Sequence, residues 1–405
     1  MQESGLAEAR QTKSSDTSTH RVLDIWAHVD PRFGGVGPCA ASLAQAVQAV
    51  PRWESHLLAV CVPSEQERHG DIPESVQKVT ERGFRPVSDF LLANPIRSAI
   101  QRADVCHIHG IWLPHSLAAS RIARQQGKPT VFSAQGMLEP WDLANKRLKK
   151  QIYSFLFERR SLAQSACLRA LHEQEAADYR KYGLKNPIAI VPNGVAQISR
   201  VKPTELIQNF PQLIGKRVVL FLGRIHRKKG VFDLVRAWPD VMRRHPDAHL
   251  LIAGGEYENA GVVARQIISD LRIENHVTFC GVLNGADKLQ ALSVATAFCL
   301  PSYSEGMSIA VLEALSIGLP VVITRACNVD GVPEAGAGYI TPPEGRAIAR
   351  SLDDCLSLTG AQWQSMSQSA KLLAQSKFAW SQSGESIRAV YEWLLGGAQP
   401  AFILR

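Results

Sequence analysis

Short apolar runs alternate along the chain with longer segments in which apolar residues recur every three or four positions. In the first half, strand-like runs cover residues 22–29, 57–62, 105–109, 129–133 and 188–191. Between the first two runs, Leu43, Val47 and Val50 fall on one face of a helix. Strands that alternate with helices are typical of parallel sheets. The pattern therefore predicts the α/β fold class.

A polar, irregular stretch over residues 195–215 separates this series from a second one. In the second series, strands are predicted over 218–222, 249–253, 277–280, 296–300 and 321–324, with helices over 230–244, 306–317 and 380–395. We therefore predict two doubly wound domains that face each other across a cleft. Their bounds are 21–200 and 201–380, with a disordered polar tail over 1–20 and a C-terminal helix over 381–405. Ligands of such sheets bind at the carboxyl ends of the strands.

The composition is typical of a globular protein in a reducing compartment. Of the 405 residues, 45% are hydrophobic and 20% charged. The eight cysteines lack the close spacing of a zinc or redox pair, so we expect buried free thiols. The first twenty residues have no apolar signal core, and no apolar run is long enough to cross a bilayer. We therefore expect a cytoplasmic location.

The net charge of +8 favours acidic partners, such as phosphates, an anionic membrane or nucleic acid. Nucleic acid is not expected, because the sequence has no zinc finger, RNA-binding signature or lysine-rich tail. Basic residues are dense over 145–160, where they alternate with apolar ones. A basic amphipathic helix of this kind either rests on an anionic membrane or packs its apolar face inside the protein. The sequence leaves both interpretations open.

Two glutamates, Glu305 and Glu313, stand eight residues apart after a predicted strand. In a helix that begins at about Gly306, this spacing corresponds to roughly 12 Å. The distance suits a nucleotide-sugar that extends from its sugar to its ribose. The helix N-terminus between the two carboxylates would face the diphosphate, because exposed N–H groups and the helix dipole favour anions.

Two basic residues follow another predicted strand. Arg224 and Lys229 lie in the loop after residues 218–222, just before a predicted helix. An arginine fork and a lysine point charge suit a diphosphate in a cleft. The alternative is a solvated basic loop, which the neighbouring glutamates make the weaker interpretation.

The first half contributes a glycine loop and a histidine pair. The run Gly34-Gly35-Val36-Gly37 joins the first strand to the first helix and allows a ligand to approach the backbone closely. Loops of this kind are common, so this signal alone is weak. His107 and His109 end a strand on the same face. We predict a core or supporting role for His107 and a place in the site for His109, and no metal site.

Taken together, these motifs resemble the retaining family 4 glycosyltransferases of GT-B fold, which have two Rossmann-like domains. The matching pieces of the second half are Gly223-Arg224, Lys229-Gly230, Ala253-Gly254-Gly255, Phe279-Cys280-Gly281 and the segment from Ser304 to Ala314. The first half matches through its glycine loop and residues 191–195. The motifs at 107–112, 135–141 and 324–328 are similar to bacterial glycosyltransferases of exopolysaccharide and O-antigen assembly, which extend lipid-linked oligosaccharides at the cytoplasmic membrane.

The resemblance implies a role for each of these positions. Arg224 and Lys229 would clamp the donor diphosphate, Glu313 the ribose, and Glu305 the donor sugar. The amides that meet sugar and phosphate would be those of Gly35, Gly306, Met307 and Ser308. The last helix would cross back to the first domain. Many family members have a histidine where this chain has Gln135, which cannot act as an acid or base but can hydrogen-bond the sugar.

The hypothesis from the sequence is a retaining hexosyltransferase with Glu305, Arg224 and Lys229 as its catalytic residues. The donor would be a UDP or GDP sugar and the acceptor a glycan or polyprenyl-linked oligosaccharide, with no metal or further cofactor. Two alternatives are a non-catalytic nucleotide-sugar-binding subunit and a nucleotide-sugar epimerase of the same fold. The base, the sugar, the acceptor and the linkage stay open.

Overall fold

The computed structural model describes residues 19–26, 35–61, 76–80, 94–144 and 147–405. Most of the predicted tail, Gly34, the end of the predicted first strand (27–29) and residues 145–146 of the basic segment lie outside the described residues. The strands of the described part are β1 His20–Trp26, β2 Trp53–Cys61, β3 Val76–Thr80, β4 Val105–His109, β5 Thr130–Ser133, β6 Cys167–Ala170, β7 Ile188–Ile190, β8 Arg217–Leu222, β9 Ala248–Ala253, β10 Val277–Gly281, β11 Ala297–Leu300, β12 Val321–Ile323, β13 Gly338–Ile340 and β14 Ile403–Leu404.

Helices connect these strands and cover the sheets. They are α1 Val36–Gln48, α2 (residues 94–101), α3 Pro114–Gln125, α4 Pro140–Ala144, α5 Arg147–Tyr153, α6 Arg159–Ala163, α7 Glu173–Lys181, α8 Thr204–Asn209, α9 Val231–Arg244, α10 Ala260–Leu271, α11 Gly285–Val294, α12 Ile309–Ile317, α13 Gly345–Leu356, α14 Gly360–Lys377 and α15 Trp380–Leu394. Short 3₁₀ turns and one π-helix lie between some of them.

Two separate sheets confirm the predicted α/β class. The first has the order β14-β7-β6-β5-β4-β1-β2-β3 among the described strands, and the second β10-β9-β8-β11-β12-β13. Every neighbouring pair is parallel except β14 with β7. Strands such as β4 and β9 are buried at every position, because helices cover both faces of a parallel sheet. These are two doubly wound, Rossmann-like domains.

Strand order reverses once in each sheet. In the first sheet the reversal falls between β1 and β4, and in the second between β8 and β11. At such a point the loops leaving two neighbouring strands run in opposite directions and open a crevice at the carboxyl ends of the strands. Gly35 follows β1, His109 ends β4, Arg224 and Lys229 follow β8, and Glu305 follows β11, so these residues lie at the two reversals.

The chain crosses between the two sheets twice, and the crossings lie side by side. The Val195 amide donates to the Phe378 carbonyl oxygen at 2.7 Å, just before α15 begins. A side chain on Gly194 would contact Trp380 at 2.6 Å, so only glycine fits there. Helix α15 then packs against α1 through Ile387, Val390 and Tyr391. The last helix therefore belongs to the core of the first sheet.

Candidate active site

Lys229 and Glu305 meet at the strand-order reversal of the second sheet. Lys229 follows β8, and Glu305 follows β11, its neighbour in the sheet. The Lys229 Nζ atom lies 2.6 Å from both carboxylate oxygens of Glu305. Their side chains are 17% and 9% exposed, so water and salt screen this ion pair only weakly. The two residues are 76 positions apart, and the topology alone brings them together.

Gly230 fixes the lysine loop against the glutamate loop. Its φ of +71° lies in the left-handed region, and a Cβ there would stand 2.0 Å from the Pro301 carbonyl oxygen. The turn Arg227–Lys229 therefore packs directly on the strand end that leads to Glu305. Arg224, on the same loop, is exposed, and its guanidinium lies 5.8 Å from the ring centroid of Tyr257. One cation is thus held by a carboxylate and the other stands at the crevice surface.

Helix α12 begins at Ile309, so the predicted start near Gly306 is wrong by three residues. The Gly306 carbonyl oxygen accepts hydrogen bonds from His172 Nε2 at 2.7 Å and from Asn328 Nδ2 at 3.3 Å instead of joining the helix. The Ser308 amide donates to the Cys327 carbonyl oxygen at 3.1 Å, and Met307 is buried in the core. The backbone before α12 is therefore held from two sides.

Glu313 lies on the second turn of α12, beside a lysine that the sequence reasoning did not single out. Lys288 Nζ is 2.6 Å from Glu313 Oε1, and the two side chains are 34% and 16% exposed. Lys288 lies on α11. The carboxylate predicted to meet the ribose thus has a cationic neighbour.

Gly35 faces this helix from the other domain. A Cβ on Gly35 would lie 4.0 Å from Ile309 Cγ1, the first residue of α12. Gly35 itself is exposed and precedes α1 directly. The structure therefore brings the glycine loop to the N-terminus of α12, where the sequence placed the diphosphate.

His109 belongs to a buried hydrogen-bonded network that the sequence did not anticipate. Its Nε2 lies 2.8 Å from Asp24 Oδ1, and its Nδ1 lies 3.3 Å from the Gln135 side-chain nitrogen. Because a carboxylate only accepts, Nε2 donates to Asp24, and Nδ1 of the neutral ring then accepts from the amide of Gln135. Gln135 has a left-handed backbone with φ of +54°. The network therefore holds Gln135 at the edge of the crevice.

His107 stacks on His109 and bonds elsewhere. Its ring nitrogens lie 2.6 Å from the Tyr391 hydroxyl and 2.7 Å from the Ser133 hydroxyl. Burial, with smaller contributions from His109 and Arg169, holds the pKa of His107 well below its ordinary value. Ligand atoms of Asp24, His107 and His109 lie within 4.8 Å of one another, a spacing that a metal ion could use. Each ring nitrogen already has a hydrogen-bond partner, so these residues form a structural network.

The two domains touch through the 134–139 loop of the first and the 301–308 loop of the second. A Cβ on Gly136, whose φ is +82°, would lie 2.5 Å from Gly306 Cα. Glu139 accepts hydrogen bonds from the Ser304 hydroxyl and from Asn328 Nδ2, the latter at 3.1 Å. Asn328 Nδ2 also donates to the Glu305 carbonyl oxygen at 2.5 Å. The backbone of Glu305 is therefore held by a residue that also binds the opposite domain.

Burial raises the pKa of Glu139 to about 7, although the Ser304 hydroxyl and Lys228 lower it. The side chain is 7% exposed and lies between the domains.

The sequence reasoning missed several residues around the site: Asp24, Glu139, His172, Lys288 and Asn328. Two of them, Glu139 and Asn328, were inside the quoted motifs at 135–141 and 324–328. The motif at 107–112 contacts the motif at 135–141, because Trp112 Nε1 donates to the Met137 carbonyl oxygen at 3.2 Å. The motifs at 135–141 and 324–328 meet at the 301–308 loop, through Glu139 with Ser304 and Asn328 with Glu305.

The basic segment differs from the single predicted helix. Its described part consists of α5, a π-helix over Ser154–Glu158, and α6. Apolar side chains on this segment are strongly exposed, at 71% for Leu148, 54% for Ile152 and 86% for Phe155. Within the described residues, no helix combines the length and apolar character that a membrane span needs.

Comparison with known protein families agrees with this geometry. A family model for a glycosyl transferase 4-like domain matches residues 34–194, and a model for glycosyl transferases group 1 matches residues 204–373. Together the two models cover both sheets. The chain belongs to the glycosyltransferases of GT-B fold, and it resembles enzymes of bacterial polysaccharide biosynthesis.

Particular relatives show how far the likeness extends. The chain is 25% identical over 326 residues to the GDP-mannose:cellobiosyl-diphosphopolyprenol alpha-mannosyltransferase of Xanthomonas campestris, covering 79% of this chain and 83% of that protein. It is 28% identical over 188 residues to spore coat protein SA of Bacillus subtilis, covering 44% of this chain and half of that protein's length. Anabaena HepE, solved with UDP and glucose, superposes with a TM-score of 0.71 at 18% identity, over 93% of this chain and all of HepE. This last likeness shows the shared fold.

Proposed function

We propose that this glycosyltransferase moves a hexose from a nucleoside diphosphate sugar to a glycan acceptor with retention of the anomeric configuration. The observation that carries the proposal is the shielded Lys229–Glu305 pair at the strand-order reversal, with Glu313 farther along the same segment. Arg224 and Gly35 complete the lining of this crevice. It offers cations and a helix N-terminus to a diphosphate, and carboxylates to the hydroxyl groups on either side of it.

In the proposed reaction, the bond between the anomeric carbon and the phosphate oxygen breaks first. Lys229 and Arg224 stabilise the negative charge that grows on the leaving diphosphate, which is usually the largest contribution of such a site. Glu305 orients the sugar and favours its developing positive charge. The acceptor hydroxyl then attacks from the face that the diphosphate leaves, and its proton passes to a phosphate oxygen. This route requires no protein base and no metal ion.

Relatives support the classes of substrate that we propose. One relative is named for transferring mannose from GDP-mannose to a polyprenol-linked acceptor, and HepE binds UDP and glucose. We therefore propose a UDP or GDP sugar as donor and a polyprenyl-linked oligosaccharide as acceptor, in bacterial surface polysaccharide assembly. The sugar is left to experiment.

A panel of UDP and GDP sugars, scored by thermal shift and by release of nucleotide, tests this function. We expect one donor to raise the melting temperature by several degrees, because a ligand at 100 times its Kd adds about 2.7 kcal/mol of stability. We also expect slow hydrolysis of the same donor. Stabilisation without turnover, even with a lipid-linked acceptor, would favour a non-catalytic subunit. An epimeric nucleotide sugar formed from donor alone would favour the epimerase.

We further propose that the segment 147–160 rests on the anionic inner face of the cytoplasmic membrane. Its exposed apolar side chains lie beside the exposed basic residues Lys149, Arg159 and Arg160. Aliphatic and aromatic groups that enter the headgroup boundary, flanked by cations, are the usual components of such a contact. The alternative of a helix packed by its apolar face is disfavoured, because that face is exposed.

Sedimentation with vesicles tests this contact. The double variant Ile152→Ser, Phe155→Ser should bind phosphatidylglycerol vesicles at least tenfold more weakly than the unchanged chain. Val262→Ser is the matched control, because Val262 is 62% exposed on α10, far from the basic segment in sequence. Equal binding by the double variant and the control would contradict the proposal.

A further inference from the structure

An apolar pocket lies beside the basic segment, which supplies three of its lining residues. Its volume is about 410 Å³, within the range of roughly 300–1,000 Å³ that small-ligand pockets have. Aliphatic groups and ring faces form most of its wall, and three polar side chains form the rest. The lining residues are Trp112, Pro140, Leu143, Ala144, Lys150, Gln151, Ser154 and Tyr182.

One helical segment forms a wall of this pocket. Lys150, Gln151 and Ser154 line the pocket, whereas Ile152 and Phe155, on the same segment, are not among its lining residues and are 54% and 86% exposed. The segment therefore has an inner face toward the pocket and an outer apolar face. A chain that left a bilayer beneath the outer face would have to pass only this segment to enter the pocket.

Two irregularities of the backbone occur at the pocket. Trp112 has a left-handed backbone with φ of +69°, which is strained for an aromatic residue. Its amide donates to Glu158 Oε2 at 3.1 Å, at the end of the π-helix that carries Ser154. Strained residues and π-helical turns cluster at functional sites, where the surrounding structure maintains them. Both features shape this pocket.

The pocket shares a wall with the donor side of the crevice. Helix α4 supplies Pro140, Leu143 and Ala144 to the pocket, and on the same helix Asp142 Oδ2 lies 3.2 Å from Lys228 Nζ. Lys228 directly precedes Lys229 of the proposed diphosphate site. A ligand in the pocket therefore lies one short helix away from the loop that would bind the donor.

We infer that this pocket takes the hydrocarbon chain next to the phosphate of a lipid-linked acceptor, an inference that rests on the proposed function. The aliphatic and ring surfaces suit the methylene and isoprene units of such a chain. Each methylene group that is buried raises the affinity about fourfold. Lys150 bonds the Asp142 carbonyl oxygen and lies 5.6 Å from the Trp112 ring centroid. Its ammonium brings a positive charge to the pocket wall, which suits the phosphate.

Binding of soluble lipid phosphates to the full chain tests the inference. We expect farnesyl phosphate or dodecyl phosphate to bind at least tenfold more tightly than inorganic phosphate. Tighter binding of farnesyl phosphate would assign an isoprenoid lipid to the pocket, and tighter binding of dodecyl phosphate an acyl lipid. Ala144→Trp fills the pocket and should remove this gain. Phe155→Ser, on the outer face, should keep it, which separates the pocket from the membrane contact.

Equal affinity of the unchanged chain for inorganic phosphate and both lipid phosphates would overturn the inference. Full retention of the lipid-phosphate gain in Ala144→Trp would overturn it as well. Circular dichroism and the melting temperature check that the filled variant is folded, and Ala144→Leu, a smaller filling, should give an intermediate loss. The measurement needs no donor and no turnover, so failure of the proposed transferase activity and failure of the pocket are distinguishable.

Discussion

At the scale of single residues, Glu139 connects the two sides of the crevice. It accepts hydrogen bonds from Ser304 and Asn328 of the other domain, and burial raises its pKa to about 7. A carboxyl group whose pKa is raised on burial stabilises the folded state when it is neutral, relative to its ionised form. This contribution is complete below the ordinary pKa of 4.5 and is lost as the pH rises through about 7.

The variant Glu139→Gln should therefore gain stability relative to the unchanged chain as the pH rises. Glutamine keeps the shape and stays neutral, with its oxygen toward Asn328 and its amide toward the Ser304 hydroxyl. From pH 5 to pH 8 the difference in free energy of unfolding should grow by on the order of 1–3 kcal/mol. Thermal melts across this range measure it. Glu344→Gln, at an exposed position, is the control. Parallel curves for Glu139→Gln and the unchanged chain would refute this role.

Gln135 gives a second prediction at this scale. Asp24 fixes the His109 ring, and that ring fixes the amide of Gln135. Asp24→Asn replaces the carboxylate that accepts the hydrogen bond from His109 Nε2. The His109 ring is then no longer held in one orientation, and neither is the Gln135 amide that bonds to it. We expect kcat to fall about 3- to 10-fold, the worth of one hydrogen bond, with the Kd for nucleotide unchanged. Steady-state kinetics and nucleotide titration measure the two quantities, and a change in Kd alone would point to a merely structural role.

Candidate site residues with strong chemistry stand out in the sequence, but their partners in the structure do not. Arg224, Lys229, Glu305 and Glu313 stand out because charge beside a strand end has few structural uses. Lys288 and Asp24 did not stand out, since periodicity tells which face a residue occupies and not which distant segment it meets.

At the scale of elements, the closest contact between the domains joins two loops through glycine. Gly136 and Gly306 pack so closely that a Cβ on either one would overlap the other loop.

Buried strands were predictable, because continuous apolar runs have few other uses. Strands β13 and β14 were missed, because each contains only two apolar residues in a row, whereas β7 and β12 lie within longer apolar runs. The break of the basic segment into α5, a π-helix and α6 was also missed, since its cause lies in tertiary contacts such as that of Glu158 with Trp112.

Gly136→Ala should hold the two loops apart. The added Cβ would lie 2.5 Å from Gly306 Cα. This is a backbone atom, so it cannot move away as the end of a flexible side chain would. We expect kcat/KM to fall at least tenfold and the radius of gyration in X-ray scattering to rise. Gly127→Ala is a matched control: Gly127 has a similar φ of +68°, but a Cβ there meets nothing within 4 Å. Both variants carry the left-handed strain of about 1–2 kcal/mol, so equal losses in the two would exclude the loop contact as the cause.

At the scale of the whole molecule, two sheets place their strand-order reversals opposite each other. The sequence predicted two doubly wound domains and the family confirms them, because alternation of strands and helices leaves few other folds. The mutual position of the domains could not be predicted. It depends on contacts such as Glu139 with Asn328 and Asp142 with Lys228, which join residues that are far apart in the chain.

We propose above all that the crevice turns over a nucleotide sugar with Lys229 at its diphosphate. The most direct test is the rate of nucleotide release from the donor identified in the panel, for Lys229→Ala and for Arg227→Ala, an exposed residue of the same turn. We expect a loss of about 100-fold or more in kcat for Lys229→Ala, as for removal of one charge-stabilising group, and near-normal turnover for Arg227→Ala. Unchanged turnover in Lys229→Ala, in a protein that melts normally, would contradict it.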